Sequence, residues 1–367
     1  MSNLRHVLGI SGGKDSAALA IYIKNSYPQL EVDYYTSDTG KELDETYQLI
    51  DNLQIYLEKK ITVLKGAEGS PLNSFDHFLK MYGGYLPSTQ ARWCTKKLKL
   101  EPFEKYVGTE PVVSYVGIRG DEDREGYISR KNNIQSIFPF RRNIWSEDVI
   151  DKFLNNGNID KIISLSENID LGSKKNRIIE LLSKKIDISY TQSYKFTQLL
   201  DEGIKELNYL IFEFLKGTNY PLAKETFFPL LDNEEIIIRD DVFRILEESG
   251  VGVPEYYKKV DFKIGNKIGS YSRSRSGCFF CFYQQKIEWV WLYEQHRDLF
   301  DKALEYEKDG YTWNQEESLL QLTKQERIEQ IKEDYIKRQE RALKIKSPYL
   351  LDILDDEEDI GCASCFI

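Results

Sequence analysis

The residues with the clearest chemistry are Ser11-Gly12-Gly13-Lys14-Asp15-Ser16. They stand where a short apolar run, His6 to Ile10, gives way to a helical pattern from Ala17 to Asn25. Glycines at such a junction let backbone N–H groups approach an oxyanion, the helix start adds positive potential, and Lys14 adds a full charge. Ser11 and Ser16 can donate further hydrogen bonds. The string predicts a phosphate-cradling loop. It is not a Walker A loop, because three residues rather than four separate Gly9 from Gly13. Asp15 also follows the lysine where Ser or Thr would meet magnesium.

The second chemical feature is sulfur. The chain has five cysteines: Cys94, Cys278, Cys281, Cys362 and Cys365. Cys278 and Cys281 form a C-x-x-C that leads into an aromatic run. Together with Cys94 they supply three soft ligands, enough for Zn²⁺ or a [4Fe-4S] cluster with one site left over. A redox pair and a buried pair among Phe279, Phe280 and Phe282 are the alternatives. Cys362 and Cys365 form a second C-x-x-C on an acidic tail, which could fill a fourth site or carry sulfur. The three histidines (His6, His77 and His296) show no metal-ligand spacing, and no hydrolytic triad stands out. Trp289, Trp291 and Tyr293 are expected to pack as core rather than to stack bases.

Elements must hold these groups in place. Strand signals at 6–10, 31–37, 61–64 and 111–118 alternate with helical patterns at 17–25, 42–60 and 96–107. That order predicts an α/β domain with a parallel twisted sheet and helices on both faces, whose ligands bind at the carboxyl ends of the strands. We divide the chain into a nucleotide-binding α/β domain (1–145), a helical insertion (146–226), a continuation with the C-x-x-C and aromatic helix (227–313), and a C-terminal helix with an acidic tail (314–367). Residues 265–275, rich in Gly, Ser and Arg, read as a loop.

Composition limits the partners. The 367 residues carry 60 Asp and Glu against 50 Lys and Arg, for a net charge of −10. A uniformly acidic chain is repelled by nucleic acid, so any such contact requires a local basic patch. Two clusters qualify: Arg92, Lys96, Lys97 and Lys99, and then Arg273 and Arg275 with Lys258, Lys259, Lys263 and Lys267. No apolar run reaches membrane-spanning length and no signal peptide is legible, so we expect a cytoplasmic protein with no membrane partner.

The Ser11–Ser16 string resembles the pyrophosphate loop of the adenine nucleotide alpha hydrolases. That group, with a HUP-like, Rossmann-type fold, includes the N-type ATP pyrophosphatases and the phosphoadenosine phosphosulfate (PAPS) reductases. Thr36-Ser37-Asp38-Thr39-Gly40 is similar to the family's adenosine-contacting turn. The block 92–99 with Glu101-Pro102-Phe103 is similar to one in its reductase-like branch, and Gly117-Ile118-Arg119 to its strand end. The resemblance spans roughly residues 5–145 and 227–310; the insertion departs from it.

The resemblance implies ATP and Mg²⁺. Nucleotide contacts would come from Ser11, Gly12, Gly13, Lys14, Asp15, Ser16, Asp38, Thr39, Gly40, Gly117, Arg119 and Arg124. Lys14, Asp15, Arg119 and Cys94 would be catalytic. The blocks 92–103, 119–131 and 272–292 look most like the reductase-like ATP pyrophosphatases of bacterial DNA phosphorothioation systems. That implies adenylation of a DNA phosphate oxygen and its replacement by sulfur. A cysteine desulfurase would be donor, within a homo-oligomer or multi-protein modification complex. Sulfonucleotide reduction, tRNA thiolation and a non-catalytic nucleotide-binding subunit are the rival expectations. Adjacent cysteines usual in cluster-bearing reductases are absent, since Trp93 precedes Cys94.

Overall fold

A computed structural model describes residues 4–122, 129 and 131–344. The centre is a five-stranded sheet in the order β3-β2-β1-β4-β5. Its strands are β1 (Arg5–Gly9), β2 (Val32–Asp38), β3 (Thr62–Lys65), β4 (Val112–Tyr115) and β5 (Ile134–Ile137). Every pairing is parallel. Helices α1 (Lys14–Ser26) and α2 (Asp44–Leu57) connect the first three strands. The pattern of strand signals and helical gaps thus yields the expected doubly covered sheet. β5 carried no comparable signal, because Ile134–Ile137 is only four residues with two polar members.

Alternation sorts the strands' side chains onto two faces. Leu8, Val113, Tyr115 and Ile137 join one cluster with α1 and α2, and Val7, Tyr35, Val112 and Ile134 another with Phe103 and Val107. Each fully buried leucine here is worth about 1.5–3 kcal/mol. From Lys14 to Ile23 every residue of α1 is buried, and the small residues Ala17, Ala18 and Ala20 let its neighbours come close.

The second face of the sheet leads to Trp93. There α3 (Ser74–Met81) precedes a helical run built from α4 (Trp93–Thr95), a π-helical turn (Lys96–Leu100) and α5 (Glu101–Val107). Pro102 does not stop this run, because it falls in the first turn of α5, where a missing N–H is tolerated.

Residues 147–215 form five helices: α6 (Glu147–Leu154), α7 (Ile159–Ser166), α8 (Lys175–Ser183), α9 (Gln192–Glu202) and α10 (Ile204–Leu215). Phe153, Ile162, Leu181, Leu199, Leu210 and Phe214 share the cluster that contains Leu8 and α1, so these helices enlarge one face of the sheet core. α11 (Arg239–Glu248) returns to the same cluster through Val242 and Leu246.

The loop expected at 265–275 is in part a strand. β6 (Val260–Ile264) and β7 (Lys267–Tyr271) form an antiparallel hairpin. Its two-residue turn places Gly265 at φ 54°, the positive value that such turns demand and glycine accepts readily. α12 (Lys286–Gln295), α13 (Arg297–Leu304), α14 (Leu319–Leu322) and α15 (Gln325–Lys344) complete the described chain. Trp289 and Trp291 are 1% and 2% exposed, as core residues should be. They belong to an aromatic cluster with Phe75, Trp93, Phe280 and Trp313. No helix among the described residues is long and apolar enough to cross a membrane.

Candidate nucleotide site

The strand order reverses direction between β1 and β4. Parallel sheets open a ligand crevice at such a point, beyond the carboxyl ends of the strands. Ser11–Ser16 leaves β1 there, and Gly117–Arg119 leaves β4. Two glycines allow the approach. Gly12 has φ +71°, and a Cβ on it would lie 2.2 Å from Thr46 Cγ2. A Cβ on Gly117 would lie 3.0 Å from the Asp15 carbonyl oxygen, so the β4 exit packs directly on the start of α1.

The loop is held from within. Ser11 and Ser16 hydroxyls stand 3.1 Å apart, and Ser16 Oγ donates to Gly13 O at 3.2 Å. Gly13, the first residue before α1, offers no side-chain cap. The helix start therefore keeps its positive end directed into the crevice.

Lys14, Asp15 and Arg119 form a buried charge set, with exposures of 5%, 6% and 8%. Asp15 Oδ1 accepts from Arg119 NH1 at 2.9 Å, and Asp15 Oδ2 lies 3.4 Å from Lys14 Nζ. Arg119 also bonds Asp121 Oδ1 at 2.9 Å and Glu122 Oε1 at 2.6 Å. Burial works against the Arg119 charge, but Asp15, Glu122 and Asp121 raise its pKa above the ordinary arginine value. Burial pulls Lys14 down, and Asp15 opposes that while Arg119 and Arg239 add to it. Both Asp15 oxygens thus face cations. Here it balances Lys14 and Arg119.

A distant segment closes over the loop, and sequence reasoning missed it. Tyr256 OH donates to Gly12 O at 3.1 Å, and Tyr257 OH accepts from Lys14 N at 3.4 Å. Lys14 Nζ sits 4.7 Å from the Tyr257 ring centroid and 3.4 Å from Ser274 O. Burial, with Asp15 nearby, pushes the Tyr257 hydroxyl up to about 12. Glu288 at the start of α12 accepts from Ser274 N at 2.7 Å and from Ser274 Oγ at 2.9 Å. Nothing local in Tyr256-Tyr257 or in Ser274 announces a contact that spans more than two hundred residues.

Arg273 is the notable member of this segment. It is 3% exposed. NH2 donates to Cys278 O at 3.0 Å, while Nε and NH1 are buried without a partner among the described residues. A buried guanidinium normally has its donors met. Within the second basic cluster Arg273 is buried, whereas Lys258, Lys259, Lys263 and Lys267 are exposed. Arg273 is internal, Lys258 pairs with Glu255 at 2.6 Å, and Lys267 pairs with Glu340 at 3.4 Å. In the first cluster Lys97 pairs with Glu101 at 2.8 Å.

The Asp38–Gly40 turn lies at the end of β2. Gly40 N donates to Asp38 Oδ1 at 2.8 Å, and Gly40 takes φ +78°. Thr39 Oγ1 donates to Glu42 Oε1 at 2.5 Å and stands 3.3 Å from Cys278 Sγ. The C-x-x-C is thereby joined to the predicted adenosine turn, and Phe279 N donates to Lys41 O at 2.8 Å.

The thiols themselves do not meet the three-ligand expectation. Among the described residues no group of three or more His, Cys, Asp or Glu could hold a metal ion. Cys278 is engaged by Thr39, and burial together with the Glu42 carboxylate pushes its thiol well above the usual range. Cys94, on α4, packs against the aromatic cluster. Arg124, Cys362 and Cys365 lie outside the described residues.

Residues 5–160 match the phosphoadenosine phosphosulfate reductase domain. An uncharacterized protein of Methanocaldococcus jannaschii is 30% identical over 145 residues, which is 36% of this chain and 28% of that one. A second from the same organism is 27% identical over 163 residues, 41% of this chain and 37% of that one. The chain thus spans well under half the length of either relative. A crystal structure of phosphoadenylyl-sulfate (PAPS) reductase from Candida auris, a phosphate complex, aligns at 20% identity and a TM-score of 0.29. The alignment covers 40% of this chain and 67% of that one.

Proposed function

We propose that this chain, whose residues 5–160 match the phosphoadenosine phosphosulfate reductase domain, is an ATP pyrophosphatase serving sulfur transfer. ATP binds with its phosphates on Ser11–Ser16 and its adenosine at Asp38–Gly40. An acceptor oxygen attacks the α-phosphorus, the α–β bridge breaks, and pyrophosphate leaves with the bonding electrons. Mg²⁺ enters on the phosphates and neutralises part of their charge. Lys14, the α1 start, Arg119 and the inward donors of Arg273 stabilise the charge that develops. A sulfur nucleophile then displaces AMP, which carries away the acceptor oxygen.

One observation supports this reading above the rest. The buried Lys14 and Arg119 stand with the start of α1 at the carboxyl end of the parallel sheet, where such sheets open a ligand crevice. We assign the acceptor as a DNA backbone phosphate and the donor as a cysteine desulfurase persulfide, whose S–S bond a second thiol then breaks, leaving sulfur on phosphorus and a disulfide between the two cysteines. A stoichiometric pyrophosphate-release assay with ATP, with and without DNA, tests the reading. Turnover that Lys14→Ala abolishes is expected. Absence of turnover, with thioredoxin-dependent sulfite release from PAPS, would replace it with sulfonucleotide reduction. That second reading is favoured by the domain match itself and by the Cys278–Cys281 pair.

A further inference from the structure

Lys14 has to present its ammonium to a phosphate, yet no tight polar bond aims it. Asp15 Oδ2 and Ser274 O each lie 3.4 Å from Nζ, outside the usual range of about 2.7–3.2 Å for such bonds. Asp15 is also shared, because its Oδ1 accepts from Arg119 NH1 at 2.9 Å. Nζ stands over the Tyr257 ring, 4.7 Å from its centroid, inside the reach of a cation–π contact, about 6 Å.

A ring and a carboxylate hold a cation differently. The carboxylate neutralises it. The ring face attracts it through its quadrupole and leaves the net charge whole. That attraction is strongest out of water, and Lys14 is 5% and Tyr257 9% exposed. A lysine held over a ring therefore keeps its full charge for an incoming oxyanion, whereas one drawn onto Asp15 does not.

Tyr257 is itself fixed. Its N donates to Pro254 O at 3.0 Å. Its ring lies against Tyr256, with centroids 4.5 Å apart, and edge-on to Phe243 of α11 at 6.3 Å. Its hydroxyl accepts from Lys14 N, and the Tyr256 hydroxyl donates to Gly12 O. The two neighbouring tyrosines thus grip the loop at Gly12 and Lys14 together. Both lie beyond residues 5–160, the stretch that matches the reductase domain.

We infer that Tyr257 is a positioning residue: its ring face holds the Lys14 ammonium at the phosphate loop and keeps it off Asp15. The role rests on the reading of Ser11–Ser16 as a phosphate loop, but not on ATP cleavage.

Calorimetric binding of inorganic pyrophosphate to the full chain tests it. Tyr257→Phe keeps the ring and loses only a long hydrogen bond, so it should bind within about threefold of the parent. Trifluorophenylalanine in place of Tyr257 keeps the shape but withdraws electron density from the ring face. It should bind about fivefold more weakly than Tyr257→Phe, with an unchanged melting midpoint. In a Lys14→Ala background the two should bind alike, since a residue that acts through Lys14 has nothing left to position. Equal binding of the two when Lys14 is present overturns the role. So does a difference that persists without Lys14, which would make Tyr257 structural. A parent chain that binds no pyrophosphate overturns it together with the phosphate loop. The expected pattern without pyrophosphate release from ATP sinks only the adenylation reading; release without the pattern sinks only this role.

Discussion

The charge set at the α1 start and the segment that closes over it solve opposite problems. At the first, Lys14, Asp15, Arg119, Asp121 and Glu122 neutralise one another inside a nearly closed space. At the second, Arg273 keeps two donors unmet while just as deeply buried. Buried ion pairs contribute little net stability, but breaking one leaves an uncompensated charge. Unmet polar groups cost stability outright. The difference teaches that the first region is balanced within itself, whereas the second carries an uncompensated cost.

The comparison can be broken most directly at Lys14. Lys14→Ala should lower pyrophosphate release about 10²–10³-fold, as loss of one charge-stabilising donor does. Stopped assays with ATP read this, and an unchanged rate would remove the loop from the chemistry. Arg119→Ala should come next. It removes one of the cations on Asp15 and the guanidinium that meets Asp121 and Glu122, and should destabilise the fold by about 3–5 kcal/mol in denaturant titration; a loss below about 1 kcal/mol would mean the set is not a unit. Arg273→Leu should behave in the opposite way. The ligand-free protein should gain about 1 kcal/mol through removal of unmet donors, while ATP affinity falls. A variant that loses both would make Arg273 structural.

The smallest effect concerns the Cys278 thiol. Its pKa is raised by burial and then by the Glu42 carboxylate. The thiolate is therefore scarce at pH 8, and Glu42→Gln should raise that fraction. Mass spectrometry after brief iodoacetamide treatment should show Cys278 modified a few-fold faster in the variant, with the pH–rate curve moved to lower pH. No movement would leave burial as the sole cause.

Much of the first region was legible before any coordinates. Ser11–Ser16 is one continuous string, so its role is written in local order: glycines, lysine, helix start. Gly117 and Arg119 could be paired with it because both follow strands of one parallel sheet. The second region was legible only in fragments. Arg273 and Arg275 read as a solvated basic patch, since nothing in Ser-Arg-Ser-Arg says which arginine turns inward. Cys94, Cys278 and Cys281 read as one ligand set, since spacing does not report the direction of a thiol. Residues 267–271 read as loop because Gly and Ser masked a hairpin with only two paired strands.

By itself the sequence determined the alternating α/β order, the loop between β1 and α1, and the burial of the aromatic helix. These follow from periodicity and from residue types that act on their immediate neighbours. Tertiary structure alone decided that Tyr256, Tyr257 and Ser274 close over Lys14, that Cys278 meets Thr39, and that Arg273 is sealed with unmet donors. The first two depend on contacts between residues more than two hundred positions apart. Their energy comes from burial and pairing that exist only once the sheet and the aromatic cluster have brought the two ends of the chain together.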